Sequence, residues 1–309
     1  MDLRQLRYFV AVAEEGHITR AAERLGMQQP PLSQQIKAIE QELDLQLFRR
    51  MARGVELTDA GRVLLDQARA VLERLDHALL LTRRTARGEQ GRLSVGIAPT
   101  APFHPFVPQV IRAFREAYPL VSVTFDECLS RQAVEQLCGE QIDVAFVRAP
   151  ISDSQGLVVH TLLEEPMVAA LPSSHELAGG PRSEPLPLCA LAEGTFILFG
   201  GPAGPGIADA SLAACYRAGF SPRLGQQAPR IASTLGLVSV GLGIALVPAS
   251  IQRLQVNGVA YRRLLPSERP TAVLNLVLRQ NDPSAVVRNF FDLARRAARE
   301  DRWMREQLE

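Results

Sequence analysis

Two groups of side chains in this 309-residue chain have types and spacings suited to molecular recognition. The first is GMQQPPLSQQIKAIE at positions 26–40, followed by LFRRMARG at 47–54. A glutamine amide pairs bidentately with adenine, and a serine hydroxyl bonds a base of either class or a phosphate. Gln29, Ser33 and Gln34 fall at the start of a helical pattern, the end of a recognition helix that reads base edges. Pro30 and Pro31 stand in the same first turn. There the backbone N–H groups have no partner within the helix, so a proline loses no bond. Their methylene faces can lie against a thymine methyl. Lys37, Arg49, Arg50 and Arg53 are spaced to reach phosphates or, from the wing, the minor groove, supplying affinity rather than sequence choice.

The second group is Thr100, Ser130 and Arg148. Each follows an apolar strand pattern (VGIAPT, the run before CLSRQ, and DVAFVRAP), where open α/β folds bind their ligands. Two hydroxyls near helix N-termini and a guanidinium together suit a carboxylate. Bland alternatives exist for each: a helix cap for Thr100 and Ser130, a salt bridge or surface charge for Arg148.

The elements that must position these groups are legible from periodicity. Residues 1–58 read as three short helices and a two-stranded wing. Leu3, Leu6, Phe9, Val10 and Ala13 share one helical face behind a capping box of Asp2 and Gln5. A second helix holds Ala21, Ala22 and Leu25, and a third runs from about Gln29 to Leu43 with Leu32, Ile36 and Ile39 inward. Residues 59–87 form one long helix with a seam of Leu64, Ala68, Val71, Leu75, Ala78 and Thr82, and a second stripe of Leu65, Leu72 and Leu79. A helix apolar on more than one side must be covered, either by its own domain or by a second copy of the chain. After a polar hinge, RGEQGRL, strands and helices alternate to the end, which predicts an α/β region with mostly parallel sheets.

Composition excludes several classes. The net charge is +1, and basic and acidic side chains cancel within residues 1–58, so only the cluster at 49–53 points to nucleic acid. Lys37 is the single lysine. Four separated cysteines (128, 138, 189, 215) form neither a C-x-x-C nor a zinc spacing, and predict reduced thiols and no metal. His17, His77, His104, His160 and His175 are scattered, and no nucleophile motif or phosphate loop appears, so no enzyme and no cofactor is expected. With no basic leader before an apolar run, and no apolar run of membrane length, a cytoplasmic protein is expected. A trihelical protein-interaction module and a solute-binding protein are the competing classes.

The stretch from LRYFVAVAEEGH to ELTDAG strongly resembles the winged helix-turn-helix of the LysR-type transcriptional regulators, through L-x-x-F, A-A-x-x-L, Q-P-x-L-S-x-Q-I, L-F-x-R and L-T-x-A-G. PSSHELA and GLGIALVPAS look like two further signatures of that family, so the resemblance spans essentially the whole chain. It implies an α+β multidomain architecture: a winged helix-turn-helix over 1–58, a dimerisation helix over 59–89, and a periplasmic-binding-protein-like α/β effector domain over 90–309. The latter divides into one subdomain of 90–162 with 267–309 and another of 163–266.

Partners implied are double-stranded promoter DNA, RNA polymerase, a small-molecule inducer and further copies of the chain, as a dimer through the linker helix and a tetramer through the effector domains. The chain is most similar to the subgroup of benzoate-, muconate- and chlorocatechol-pathway regulators. In that subgroup the positions of Thr100, Ser130 and Arg148 line the inducer pocket, with Phe199, Ile207 and Pro248 as the opposing wall and Phe103 and His104 nearby. The implied inducer is an aromatic or dicarboxylic acid. Gln28 replaces the family's usual Ser cap, and Gln34 its usual Arg, which moves DNA reading towards amide hydrogen bonds. His17 reads as a surface or capping residue. Thiol redox sensing is the alternative within the family.

Overall fold

A computed structural model describes residues 1–148, 156–179, 184–200 and 206–300. The chain divides into two units, Met1–Arg84 and Thr85–Glu309.

In the first unit, α1 (Leu3–Glu15), α2 (Ile18–Arg24) and α3 (Gln29–Leu43) precede a hairpin of β1 (Phe48–Met51) and β2 (Gly54–Leu57) and the start of α4 (Asp59–Ala86). The expected capping box closes on α1, with Gln5 N–H donating to Asp2 and Asp2 N–H to the Gln5 side chain. Leu6, Phe9, Val12, Ala21, Ala22, Leu32, Ile36 and Ile39 build the core. The wing is pinned to the turn between α1 and α2 by a bond from Val55 N–H to the Gly16 carbonyl at 2.9 Å. Gly54, at φ +107°, is required here: a Cβ would stand 2.3 Å from that same carbonyl oxygen.

The linker-helix seam divides in two. Ala68 is buried and Leu64, Leu65 and Leu72 pack on the unit's own core, so the first half of the seam is already covered. Val71, Leu79 and Leu80 remain 44–49% exposed. Among the described residues no helix is long and apolar enough to cross a membrane.

The second unit has two lobes. In the first, β3 (Gln90–Ile97) lies parallel to β4 (Leu120–Glu127) and to β5 (Val144–Val147), with α5 (Phe106–Ala117), α6 (Ser130–Cys138) and α9 (Ala285–Glu300) on the faces. Its core includes Leu93, Val95, Phe106, Phe114, Phe146 and Phe290. The second lobe holds β7 (Thr195–Phe199), α7 (Ile207–Arg217), β8 (Arg223–Ala228), α8 (Ile231–Ser239), β9 (Ala245–Pro248) and β10 (Val259–Arg262), around Met167, Phe196, Leu235 and Val247.

Two long strands join the lobes: β6 (Leu157–Pro172) and β11 (Thr271–Arg279). In the sequence, 158–162 and 167–171 read as two separate apolar strand patterns, but β6 runs unbroken through both. Glu164, Glu165 and Pro166 interrupt the apolar pattern at the crossing, yet the ladder with β11 continues through them. Among the described residues the sheets are also not mostly parallel. The pairs of β6 with β9, β10 and β11, and of β11 with β5, are antiparallel, because the crossover strands run against the β/α units they connect. The polar strand β8, largely exposed, has no apolar pattern to announce it.

Candidate functional site

The first site is the exposed face of α3 and the wing. Gln28 occupies the N-cap position in extended backbone but makes no side-chain capping bond, so its amide remains available. Pro30 and Pro31 lie in the first turn. Gln28, Gln29, Pro30, Pro31, Gln34 and Lys37 are exposed and Ser33 half-buried, while Leu32, Ile36 and Ile39 hold the opposite face inward. Gln35, next to Gln34, turns the other way and accepts a bond from Gln5 at 3.2 Å. The register from Phe48↔Leu57 to Met51↔Gly54 puts Arg53 at the hairpin tip and Arg49 and Arg50 along β1, all exposed. Donor-rich amides on a helix start, beside a cationic hairpin, form a surface that can bond base edges and phosphates together.

Two supports of this surface are explained locally. His17 caps α2, its Nδ1 accepting from Thr19 N–H at 3.3 Å. Glu14 receives Arg24 and Arg69, each at 2.9 Å, which ties α1, α2 and α4 together; bonds from Arg69 and then Arg24 lower its pKa.

The second site lies at the carboxyl ends of β3, β4 and β5. Their register sets Ile97 level with Glu127 and Phe146, so Thr100, Ser130 and Arg148 emerge from one edge of the sheet. Thr100 is 1% exposed and opens a 3-10 turn (Ala101–Phe103) without capping it; its hydroxyl has no hydrogen-bond partner among the described residues. Ser130 opens α6, where the N-cap position belongs to Leu129, and it is half-buried. Plain capping therefore does not explain either hydroxyl.

Arg148 is 5% exposed and ion-paired with Glu165, which is 1% exposed at the crossing of β6. Glu165 also accepts from Ser250 N–H at 3.1 Å and from the Ser250 hydroxyl at 3.2 Å. The salt-bridge alternative for Arg148 is thus realised in part: Nε and Nη1 of the same guanidinium have no hydrogen-bond partner among the described residues. Burial lowers the Arg148 pKa while Glu165 opposes that shift, and a guanidinium stays charged in a protein. Because Arg148 follows β5 and Ser250 follows β9, Glu165 is linked to both lobes at the hinge.

His104 is 1% exposed, and its Nδ1 accepts from Phe106 N–H at 3.2 Å. Burial first, then the charges of Arg148 and Arg253, push its pKa down to about 3, so the imidazole is neutral. Phe103 crosses from the first lobe to pack on the second lobe's core. Phe199 and Ile207 belong to that core, at 8% and 6% exposure, and Pro248 is buried at the end of β9. At the outer edge Arg230, before α8, faces Glu127, at the end of β4, at 3.5 Å. Glu165 and Ser250 were not singled out from sequence: an adjacent acidic pair and a serine beside GIALVP look like solvated surface. The interruption of an apolar strand by charge was the one available signal.

The cysteines do not assemble. Burial raises Cys128 and Cys215 to about 11, opposite to the shift a reactive thiolate requires, and Cys138 and Cys189 are exposed and unpaired.

Both parts of the chain resemble known proteins. Residues 3–62 match the family model of bacterial regulatory helix-turn-helix proteins of the lysR family, and residues 86–299 match that of the LysR substrate binding domain. The transcriptional regulator BudR of Raoultella terrigena is 36% identical over 95% of this chain and all of its own length. CatR of Pseudomonas putida is 38% identical over 95% of this chain and 98% of its own. The crystal structure of full-length CbnR complexed with its target DNA superposes with a TM-score of 0.82 at 30% identity, covering 96% of this chain and 100% of that one. These relatives are named as regulators rather than enzymes. The chain belongs to the LysR family of transcriptional regulators, with an N-terminal helix-turn-helix and a C-terminal effector-binding domain.

Proposed function

We propose that this regulator binds a small aromatic or dicarboxylic acid between the lobes of its second unit, and that the acid changes how the protein bends promoter DNA to control a catabolic operon. One observation carries the reading: Arg148 is buried with Nε and Nη1 unbonded among the described residues, on the same sheet edge as the Thr100 hydroxyl, which is likewise unbonded there. A buried polar group left unmade costs about 1–3 kcal/mol, and more when charged. A carboxylate would accept from both guanidinium nitrogens and from Thr100, with Ser130 beside it. Phe103, Phe199, Ile207 and Pro248 offer an apolar surround for the rest of the ligand, and neutral His104 leaves Arg148 as the cation that meets the acid.

The bound acid would share Arg148 with Glu165, which Ser250 holds on the other lobe. It therefore interacts differently with different lobe arrangements, the requirement for a ligand to shift an equilibrium. Gln28, Gln29, Pro30, Pro31, Ser33 and Gln34 read bases in this account, and Lys37, Arg49, Arg50 and Arg53 hold phosphates. The uncovered stripe of α4, at Val71, Leu79 and Leu80, pairs two chains, and effector domains join two dimers. Four winged domains then bend the duplex in reach of RNA polymerase in the cytoplasm.

A thermal-shift screen with aromatic monoacids, dicarboxylates and their uncharged amides tests the ligand class. An acid at a hundred times its Kd adds about 2.7 kcal/mol, and its amide leaves the transition unmoved. A screen in which amides match their acids, or a DNA footprint unchanged by a saturating hit, contradicts the reading.

A further inference from the structure

Glu40 is on the recognition helix, but its carboxylate points at the start of the wing. One oxygen, Oε1, accepts from Leu47 N–H at 2.8 Å and from Phe48 N–H at 3.1 Å, the last residue before β1 and the first within it. Its own carbonyl accepts from Leu45 N–H at 3.0 Å, closing the turn in which Asp44 takes φ +52°. Backbone and side chain of one residue thus set the path from α3 to β1.

The Leu47 peptide is also a junction. Its carbonyl accepts from Thr58 N–H at 3.0 Å, and the Thr58 hydroxyl in turn receives Gly61 N–H at 3.0 Å in the first turn of α4. A Cβ on Gly61 would stand 2.2 Å from the Leu47 oxygen, so the helix is seated directly on this peptide. The groove beside it is lined by Ser33, Lys37, Gln41 and Arg50, side chains from both α3 and the wing.

We propose that Glu40 is a positioning residue for DNA binding. By holding the Leu47 and Phe48 amides on α3, it fixes the wing cations Arg49, Arg50 and Arg53 relative to the amides of the recognition helix, so that both meet one duplex together. Glu40 touches no DNA in this account. The inference rests on the family's DNA binding and is independent of any inducer.

The test is the salt dependence of binding of the full-length protein to a fluorescein-labelled random-sequence duplex, where phosphate contacts dominate. Replacing all three wing arginines by alanine lowers the slope of log K against log salt by about 0.9 for each phosphate no longer neutralised. Glu40→Ala is expected to lower it as much with the arginines present, and to leave no further drop when they are then removed. Glu40→Gln keeps an oxygen that can accept both N–H groups and is expected to retain the wild-type slope. If Glu40→Ala does not fold, Glu40→Asp, whose carboxylate falls one methylene short, is read in its place. A wild-type slope in the shortened variant, or an undiminished further drop on removing the arginines in its background, overturns the proposal.

Discussion

Gln29, Gln34, Lys37, Arg49, Arg50 and Arg53 all stand in solvent, whereas Thr100, His104, Arg148 and Glu165 are between 1% and 5% exposed. Under the proposed function both sets recognise polar partners, but by opposite physical means. On the DNA-reading surface each group is solvated before binding, so each contact is modest, separable and screened by salt. At the carboxyl ends of β3 and β5 and the crossing of β6 the groups have already lost water during folding. Removing one partner there leaves another stranded, so folding and ligand recognition are coupled. Where a polar group sits in relation to water decides whether its loss reads as weaker binding or as a weaker fold.

This contrast predicts the largest effect at the hinge. Glu165→Ala strands the Arg148 charge and should destabilise the second unit by about 3–5 kcal/mol in urea unfolding. The double replacement Glu165→Leu with Arg148→Met should recover most of that. If the double variant is as unstable as the single, the cost arises from something other than an uncompensated charge. On the DNA surface, Gln29→Ala should lose about 1–3 kcal/mol of base discrimination in binding-site selection, with stability changed by less than about 0.5 kcal/mol. Arg53→Ala should instead weaken all sequences alike and lower the salt slope by about 0.9. Gln34→Arg should raise affinity while shifting the selected site, and an unchanged consensus would contradict the amide reading.

Acid should separate the two sites as well. His104 is held neutral, with a folded pKa of about 3, while an unfolded histidine titrates near 6.5. As pH falls through that window the unfolded chain takes a proton the folded one refuses, so stability is lost, at up to about 1.4 kcal/mol per pH unit. His104→Asn keeps an acceptor for the Phe106 N–H but cannot titrate, and should flatten the profile between pH 6 and roughly pH 4. An identical slope in the variant would mean that His104 is not the responsible group.

Legibility from sequence followed the same division. The helix start at Gln29 was readable because proline tolerance, amide chemistry and the inward face of Leu32, Ile36 and Ile39 are local properties of adjacent residues. The strand ends carrying Thr100 and Arg148 were readable because short apolar runs mark them. Glu165 and Ser250 were not, because the reason for their burial lies across 85 residues and in a guanidinium on the other lobe. The role of Glu40 is illegible for a related cause: its partners are backbone N–H groups, which no residue type announces. The unbroken β6 was hidden by its own Glu164–Pro166 segment, whose polarity imitates a turn.

The smallest structural change gives the most direct test of the proposed ligand site. Thr100→Val keeps the shape of a fully buried side chain and removes only a hydroxyl with no protein partner among the described residues. Freed of that unsatisfied group, the variant should be as stable as the wild type or more so, by about 1 kcal/mol. Calorimetric titration with the acid that most raises the melting transition should nevertheless show at least about a tenfold loss of affinity, a difference of about 1.4 kcal/mol. A variant that gains stability and loses affinity supports a carboxylate held by Thr100 and Arg148. Unchanged affinity would contradict it and place the ligand elsewhere.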